Sequence, residues 1–415
     1  MRIVLHDFGG YPFTAELARA LAQRGHEVGY LYAAGFRQPR AALDSWALDV
    51  PSLELRGIDV GTAYRRGAGL RRFAQERHYG RLLAESIRAM EPHAVISANC
   101  PLDAQAMALE ATHRAGAGFA FWLQDLYSVA VNRLLRRRLW MLGAVVGARY
   151  ARLERSLIQR ADAVISISPD FEPILRSWGL RPERQHVIEN WAPLDARTPL
   201  QKDNYWSRRH ALADKPTFIY AGTLGRKHDP AQLVSLARAV PDARVVVVAE
   251  GAGADALRAT RELPSNLMIL PLQPAGELSA VLASADVLVA ILERDAHAFS
   301  VPSKILTYLA AGRPIVAAVP AENLAARTIL DAGAGIVVEP DDHVALAVAA
   351  RRLLSDPNER TRAGAAARAY AERAFDVEAK ADEFERVLAG IAPPSHSRDE
   401  SKADTARTPY DRERS

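Results

Sequence analysis

Short apolar runs alternate with longer amphipathic stretches along most of the chain. Arg2-Ile-Val-Leu is too short and too apolar for a half-exposed element and predicts a buried strand; Phe13 to Arg24 then carries apolar residues at helical spacing. Gly25-His-Glu turns the chain into a second strand near Val28 to Tyr32. Ala94-Val-Ile-Ser, Phe119 to Leu123 and Ala163-Val-Ile-Ser-Ile read as further strands, separated by helices near 71–90, 102–115 and 130–160. Strands alternating with helices argue for a parallel sheet covered on both faces. The rhythm breaks at Asn190-Trp-Ala-Pro-Leu-Asp and the polar stretch to Asp214, which predicts a hinge without strands. A second series begins at Thr217 and continues through Arg244 to Ala249, Asn266 to Leu270, Asp286 to Leu292, Pro314 to Ala318 and Gly335 to Val338. Helices near 341–354, 358–374 and 377–389 close it.

The expected organisation is therefore α/β, with two doubly wound, Rossmann-like domains facing a central cleft. The first spans 1–195 and the second 196–375; a closing helix covers 376–390 and a polar, disordered tail 391–415. A length of 415 residues agrees with more than one core. The single Cys100 excludes an intrachain disulfide framework and a Cys-rich zinc site. Met1-Arg-Ile-Val-Leu leads straight to His6-Asp7, so no signal core is expected. No apolar run approaches the roughly 18–20 residues that span a bilayer. The chain reads as cytoplasmic, soluble or peripheral.

Charge is unevenly spread beneath a net +4. Residues 1–195 hold 25 arginines and no lysine against 20 acids; residues 196–390 hold 23 basic and 24 acidic residues. Such a bias serves nucleic acid, anionic lipid or a phosphorylated substrate. No aromatic-and-basic reading module for nucleic acid is present. Residues 133–160 concentrate eight arginines with one glutamate and carry an apolar stripe through Leu135, Leu139, Leu142, Val146, Leu153 and Leu157. That pattern suits either the interface of an anionic membrane or a core helix with a solvated arginine face.

Three strand-end loops of the second series carry candidate chemistry. Tyr220-Ala-Gly-Thr-Leu-Gly-Arg-Lys-His places Gly222 and Gly225 ahead of Arg226 and Lys227. Glu250-Gly-Ala-Gly follows the next strand. Val301-Pro-Ser-Lys-Ile-Leu-Thr puts Ser303, Lys304 and Thr307 at the mouth of a helix that Pro302 opens and Gly312 ends. Two cation-bearing loops on one sheet edge suit a diphosphate. Gly251-Ala-Gly253 also fits a loose dinucleotide pattern, but it sits in mid-domain rather than after a first strand. Asp341-Asp342 reads as a helix start, and no metal site is expected.

The ordered set Phe8-Gly-Gly-Tyr, GTLGRKH, EGAG, LPLQP, SADVLV and PSKILTYLAAGRP resembles the family 4 glycosyltransferases of the two-domain GT-B fold. It is most similar to the branch that builds bacterial O-antigen, capsule or exopolysaccharide, over about residues 1–390. The resemblance implies a nucleotide-sugar donor, a saccharide or polyprenyl-diphosphate-linked acceptor, no cofactor, no metal and retention at the anomeric carbon. It assigns Arg226 and Lys227 to the donor diphosphate with help from Ser303 and Lys304. The Leu270-Pro-Leu272-Gln273 loop would hold the base through backbone groups, and Gly9, Gly10 and Gly222 would let backbone approach the donor. Thr307 and Phe299 stand where many relatives carry the two glutamates of a Glu-x7-Glu pair. A threonine hydroxyl replaces only part of a carboxylate's acceptance. Asp125, after a buried strand, reads either as the acceptor of the attacking hydroxyl's proton or as a helix cap. His6 reads as a structural hydrogen-bond partner; His228 reads as a phosphate contact or a cap. Two rivals remain at this stage: a GT-B-like sugar-nucleotide epimerase and a non-enzymatic two-domain binding protein. No carboxylate–histidine set stands out for the first.

Overall fold

The structure, a computed structural model, describes residues 1–35, 50–61, 69–126, 128, 140–194, 199–225, 228–294 and 303–393. Its first sheet comprises β1 (Arg2–Asp7), β2 (Glu27–Ala33), β3 (Leu53–Ile58), β4 (Ala94–Ala98), β5 (Gly118–Leu123), β6 (Ala163–Ser166) and β7 (Gln185–Val187). The strands run in the order β3-β2-β1-β4-β5-β6-β7, every pair parallel. The second sheet comprises β8 (Thr217–Thr223), β9 (Arg244–Glu250), β10 (Leu267–Leu270), β11 (Val287–Ile291), β12 (Ile315–Ala318) and β13 (Gly335–Val338). Its order is β10-β9-β8-β11-β12-β13, again all parallel. Each sheet thus reverses its winding once, between β1 and β4 and between β8 and β11. Crevices that hold ligands form beyond the strand ends at such points.

Central strands are buried from end to end, as their near-continuous apolar runs require. Crossovers between parallel strands place helices Gly69–Ala89, Leu102–Arg114 and Trp140–Arg160 side by side, the hand expected of such connections setting them on one face of the first sheet. Helix Pro12–Gln23 covers the opposite face, burying Thr14, Leu17, Ala18 and Leu21 at helical spacing.

The closing helix, Val377–Ile391, returns to the first domain and packs on helix Pro12–Gln23 and β5. Phe384 meets the Trp122 ring edge-on at 4.6 Å between centroids. Gly118 makes room for the helix end, since a β-carbon there would lie 2.2 Å from the Ile391 carbonyl oxygen. Arg24 donates to Asp382 at 2.6 Å and to Glu385 at 2.8 Å. The sequence had not named strands β3 and β7, nor several short helices, among them Tyr205–Arg209, which lies within the predicted hinge. The mouth helix also begins later than Pro302 implies, at Lys304.

Candidate active site

In the second domain β8 and β11 pair only at Phe218–Val287 and Ile219–Leu288. Past that point the strands diverge, and the Tyr308 hydroxyl occupies the gap. It accepts from the Ala221 amide at 2.9 Å, and its oxygen lies 3.2 Å from both the Ala221 and the Val289 carbonyl oxygens, to which it can donate. Tyr308 is buried, and desolvation raises its pKa, so it stays a neutral phenol. It ties helix Lys304–Ala310 to the ends of both strands.

One turn earlier on that helix, the Lys304 ammonium lies 3.8 Å from the centroid of the Tyr220 ring and donates to its hydroxyl. Tyr220 passes its own proton to the Thr223 carbonyl at 2.8 Å. Burial pushes the Tyr220 pKa up, so the phenol positions Lys304 without cancelling its charge. Gly222, at φ +124°, turns the chain past this amine; a β-carbon there would sit 3.9 Å from Lys304 Cε. The structure therefore brings Gly222 and Lys304 together at one strand end, as the sequence implied.

Ser303 is exposed at the mouth, and its side chain makes no capping bond to the helix. A plain cap therefore does not explain it. The Thr307 hydroxyl donates to the Lys304 carbonyl at 2.8 Å, which leaves only its lone pairs to offer. Because the helix is seven residues long, its dipole is small, and the mouth's positive character rests on side chains. Arg226, Lys227 and Phe299 lie outside the described residues. Leu270 ends β10 and Leu272 follows it, both half-buried.

The glycine turn after β9 has a packing role. Gly253 donates to the Leu224 carbonyl at 2.8 Å, and a β-carbon on it would meet Leu224 Cγ at 2.8 Å. It backs the Gly222–Gly225 loop, which accounts for the pattern without a dinucleotide. Gly225 donates to Nδ1 of the buried His228 at 3.1 Å, so that histidine folds the loop rather than capping the next helix, whose N-cap is Pro230.

The first domain's mouth centres on Asp7, which no sequence argument had singled out. Its buried carboxylate accepts from the amides of Gly9 (3.2 Å) and Tyr11 (2.6 Å), the Thr14 hydroxyl (2.7 Å) and the Asn99 side chain (2.9 Å). Burial pushes its pKa up, and these four bonds pull it back. Asp7 thereby fixes the Gly9–Gly10 turn against the end of β4. An aspartate just before a Gly-Gly turn was the available signal, since such side chains take backbone amides two residues on.

Beside it runs a closed chain of neutral groups. Gln105 donates its amide to the Ser97 carbonyl, so its oxygen takes the Ser97 proton at 2.7 Å. Ser97 must then accept from Nδ1–H of His6, at 2.7 Å, leaving Nε2 to accept from Tyr79 at 2.8 Å. Desolvation lowers the His6 pKa to about 3, so it remains neutral in this structural role. Asp125 is exposed just past β5. Its neighbour Gln124 exchanges amide bonds with Asn190 of the connecting segment, at 2.5 and 3.3 Å.

Domain profiles cover nearly the whole of this architecture. The glycosyl transferase 4-like domain matches residues 8–191, and the glycosyl transferases group 1 domain matches residues 203–370. The chain belongs to the family 4 glycosyltransferases of the GT-B fold. Within that family it is 26% identical over 252 residues to a putative colanic acid biosynthesis glycosyl transferase, WcaI, of Escherichia coli K12. That match takes in 58% of this chain and 61% of the relative. It is 25% identical over 231 residues to a probable glycosyltransferase, WbjE, of Pseudomonas aeruginosa, covering 54% and 58% of the two chains. The matches thus span about three fifths of these relatives' lengths. Among solved structures, HepE of Anabaena in complex with UDP-glucose shares the fold over 94% of this chain and all of its own, with a TM-score of 0.69 at 17% identity. A sucrose-phosphate synthase from Thermosynechococcus elongatus does so over 94% and 98%, with a TM-score of 0.72 at 17% identity. Among the described residues no helix is long and apolar enough to cross a membrane, and no group of three or more His, Cys, Asp or Glu is placed to hold a metal.

Proposed function

We propose that this glycosyltransferase family member moves a sugar from a nucleotide-diphosphate sugar, UDP-linked by preference, onto a lipid-linked or growing saccharide of a cell-surface polysaccharide. The observation that carries this reading is the Lys304–Gly222 mouth, where an ammonium held by Tyr220 faces a glycine strand end at the sheet's switch point. A diphosphate bound there meets a charge already in place, so little reorganisation is needed as the leaving group gains negative charge. Arg226 and Lys227 follow Gly225 in sequence, and the family resemblance gives them to the same diphosphate. The assignment of these cations to the leaving group requires no metal or cofactor, and reaction proceeds with retention. Asp125, exposed at the end of β5, takes the proton of the attacking hydroxyl. UDP is preferred on the ground that HepE, of the same fold, was crystallised with UDP-glucose.

The protein works at the inner face of the cell membrane, held there by the first domain. Support comes from the basic stretch 133–160, of which 133–139 lie outside the described residues, and from a groove of about 490 Å³ between helices Gly69–Ala89 and Leu102–Arg114, where Arg77, Arg81, Arg88, Arg114 and Arg160 outnumber Glu85, Asp103 and Glu110, with Val145 and Val146 exposed on the adjacent helix. Each arginine near an anionic surface contributes about 1 kcal/mol. Changing Arg77, Arg81 and Arg88 together to glutamine should cut binding to phosphatidylglycerol vesicles by at least tenfold; unchanged binding refutes the membrane reading. Calorimetric titration with UDP, GDP, ADP and NAD tests the donor reading. Selective binding of one nucleoside diphosphate is expected, and preference for NAD or no binding overturns it.

A further inference from the structure

A second pocket, of about 400 Å³, lies between the two domains beside the connecting segment. Its size falls within the range of small-molecule sites, about 300–1,000 Å³. The first domain contributes Ile167, immediately past β6, and Val187, which ends β7, together with Glu189. The second contributes Leu306 of the mouth helix, then Leu324, Tyr370 and Phe375, and the closing helix adds Lys380 and Glu383. Ser303 lies on the rim, so this pocket adjoins the Lys304 mouth. Across the interface Arg327 holds both oxygens of Asp170, at 2.8 and 2.9 Å.

Glu189 gives the pocket its chemical character. Its half-buried carboxylate has no hydrogen bond or ion pair among the described residues. Burial raises its pKa, while the charges of Lys380 and Arg327 pull it down. An apolar occupant would leave this carboxylate buried and unpaired, which is costly. A phosphate would face Glu189 and Glu383 at close range, and these two acids are matched by Arg373 and Lys380, so the lining carries no net positive charge for an anion. A neutral, hydroxyl-rich ring meets both requirements. Its hydroxyls donate to Glu189 and accept from Lys380, and its C–H face rests on Tyr370 and the apolar floor of Ile167, Leu306 and Phe375.

We propose that this pocket is the saccharide subsite of the acceptor, with Glu189 as its hydroxyl-binding carboxylate. The proposal rests on the transferase reading, since Ser303 is what sets a sugar here next to the donor's diphosphate.

The test uses the full chain, saturated with UDP, and the methyl glycosides of glucose, galactose and mannose as probes in saturation-transfer NMR. At least one glycoside should bind. Glu189→Gln, which keeps the side chain's shape, should weaken that binding about five- to tenfold, the loss expected when a charged acceptor becomes neutral. Leu324→Trp should abolish it by filling the pocket, while the UDP affinity of both variants stays at the wild-type value. Glycoside signals unchanged in Glu189→Gln, or absent from a wild-type protein that binds UDP, overturn the subsite even if Leu324→Trp fails to fold. A wild-type protein that binds glycosides through Glu189 but no nucleoside diphosphate instead refutes the transferase reading and leaves the pocket as a sugar site.

Discussion

At the end of β1 a buried carboxylate gathers four donors from its own domain, whereas at the end of β8 a buried phenol spreads two strands and an ammonium stands beside the loop. The sheets share one strand order but for the extra edge strand of the first, so the difference lies in the side chain that organises each strand end. Asp7 spends its acceptors inside the protein, and its turn is set before any ligand arrives. Lys304 is held against the ring and hydroxyl of a neutral phenol, which does not cancel its charge. On the proposed reading the first mouth is a preformed wall and the second is the electrostatic partner of the donor.

Removing each anchor should show that contrast, in decreasing order of effect. Asp7→Ala strands several buried donors at once and should cost about 3–5 kcal/mol of stability in urea unfolding. Asp7→Asn, which keeps part of the acceptor set, should cost visibly less. Equal losses from the two would show that the carboxylate is not the organiser. Tyr308→Phe leaves the Ala221 amide without its partner and should cost about 1–3 kcal/mol, with weakened nucleotide binding because the Gly222 turn loses its support. Lys304→Ala should lower nucleoside diphosphate affinity by about 1–3 kcal/mol in calorimetry while barely moving the unfolding midpoint. Undiminished affinity would remove Lys304 from the donor site.

A last, pH-dependent effect concerns Glu16, which accepts from Trp191 of the connecting segment at 2.7 Å. Burial raises its pKa from 4.5 to about 7. The folded state therefore keeps a proton that the unfolded chain releases, so this group's contribution is full below about pH 4.5 and falls as pH rises towards 7. Glu16→Gln should flatten that part of the stability profile. Parallel wild-type and variant profiles between pH 4.5 and 7 would contradict it.

Much of this was legible in the chain. The buried strands announced themselves as short Val- and Ile-rich runs, and Gly222, Ser303 and Lys304 by their place at strand ends. The edge strands did not. β3 reads Leu-Glu-Leu-Arg-Gly-Ile, with charges where a central strand would be apolar, and β7 is only Gln-His-Val. Edge strands are half-solvated, so their composition resembles that of loops. Helix Tyr205–Arg209 hid for a different reason: five residues carry no period, and it is held by the Asn204–Ser207 capping box. Asp7, Tyr308 and Glu189 were missed because their roles depend on groups brought near by folding. Asp7 meets Asn99 from 92 positions away, and Tyr308 meets Ala221 from 87.

The return of the closing helix to the first sheet has a consequence for biosynthesis. Gly118 and Trp122 of β5 leave the ribosome long before Phe384 and Ile391, which cover them. At typical elongation rates the interval is on the order of tens of seconds. Throughout it the nascent first domain carries an uncovered aromatic face, so the half of the protein made first is the half that finishes last, and it is the natural place for a chaperone to engage the growing chain.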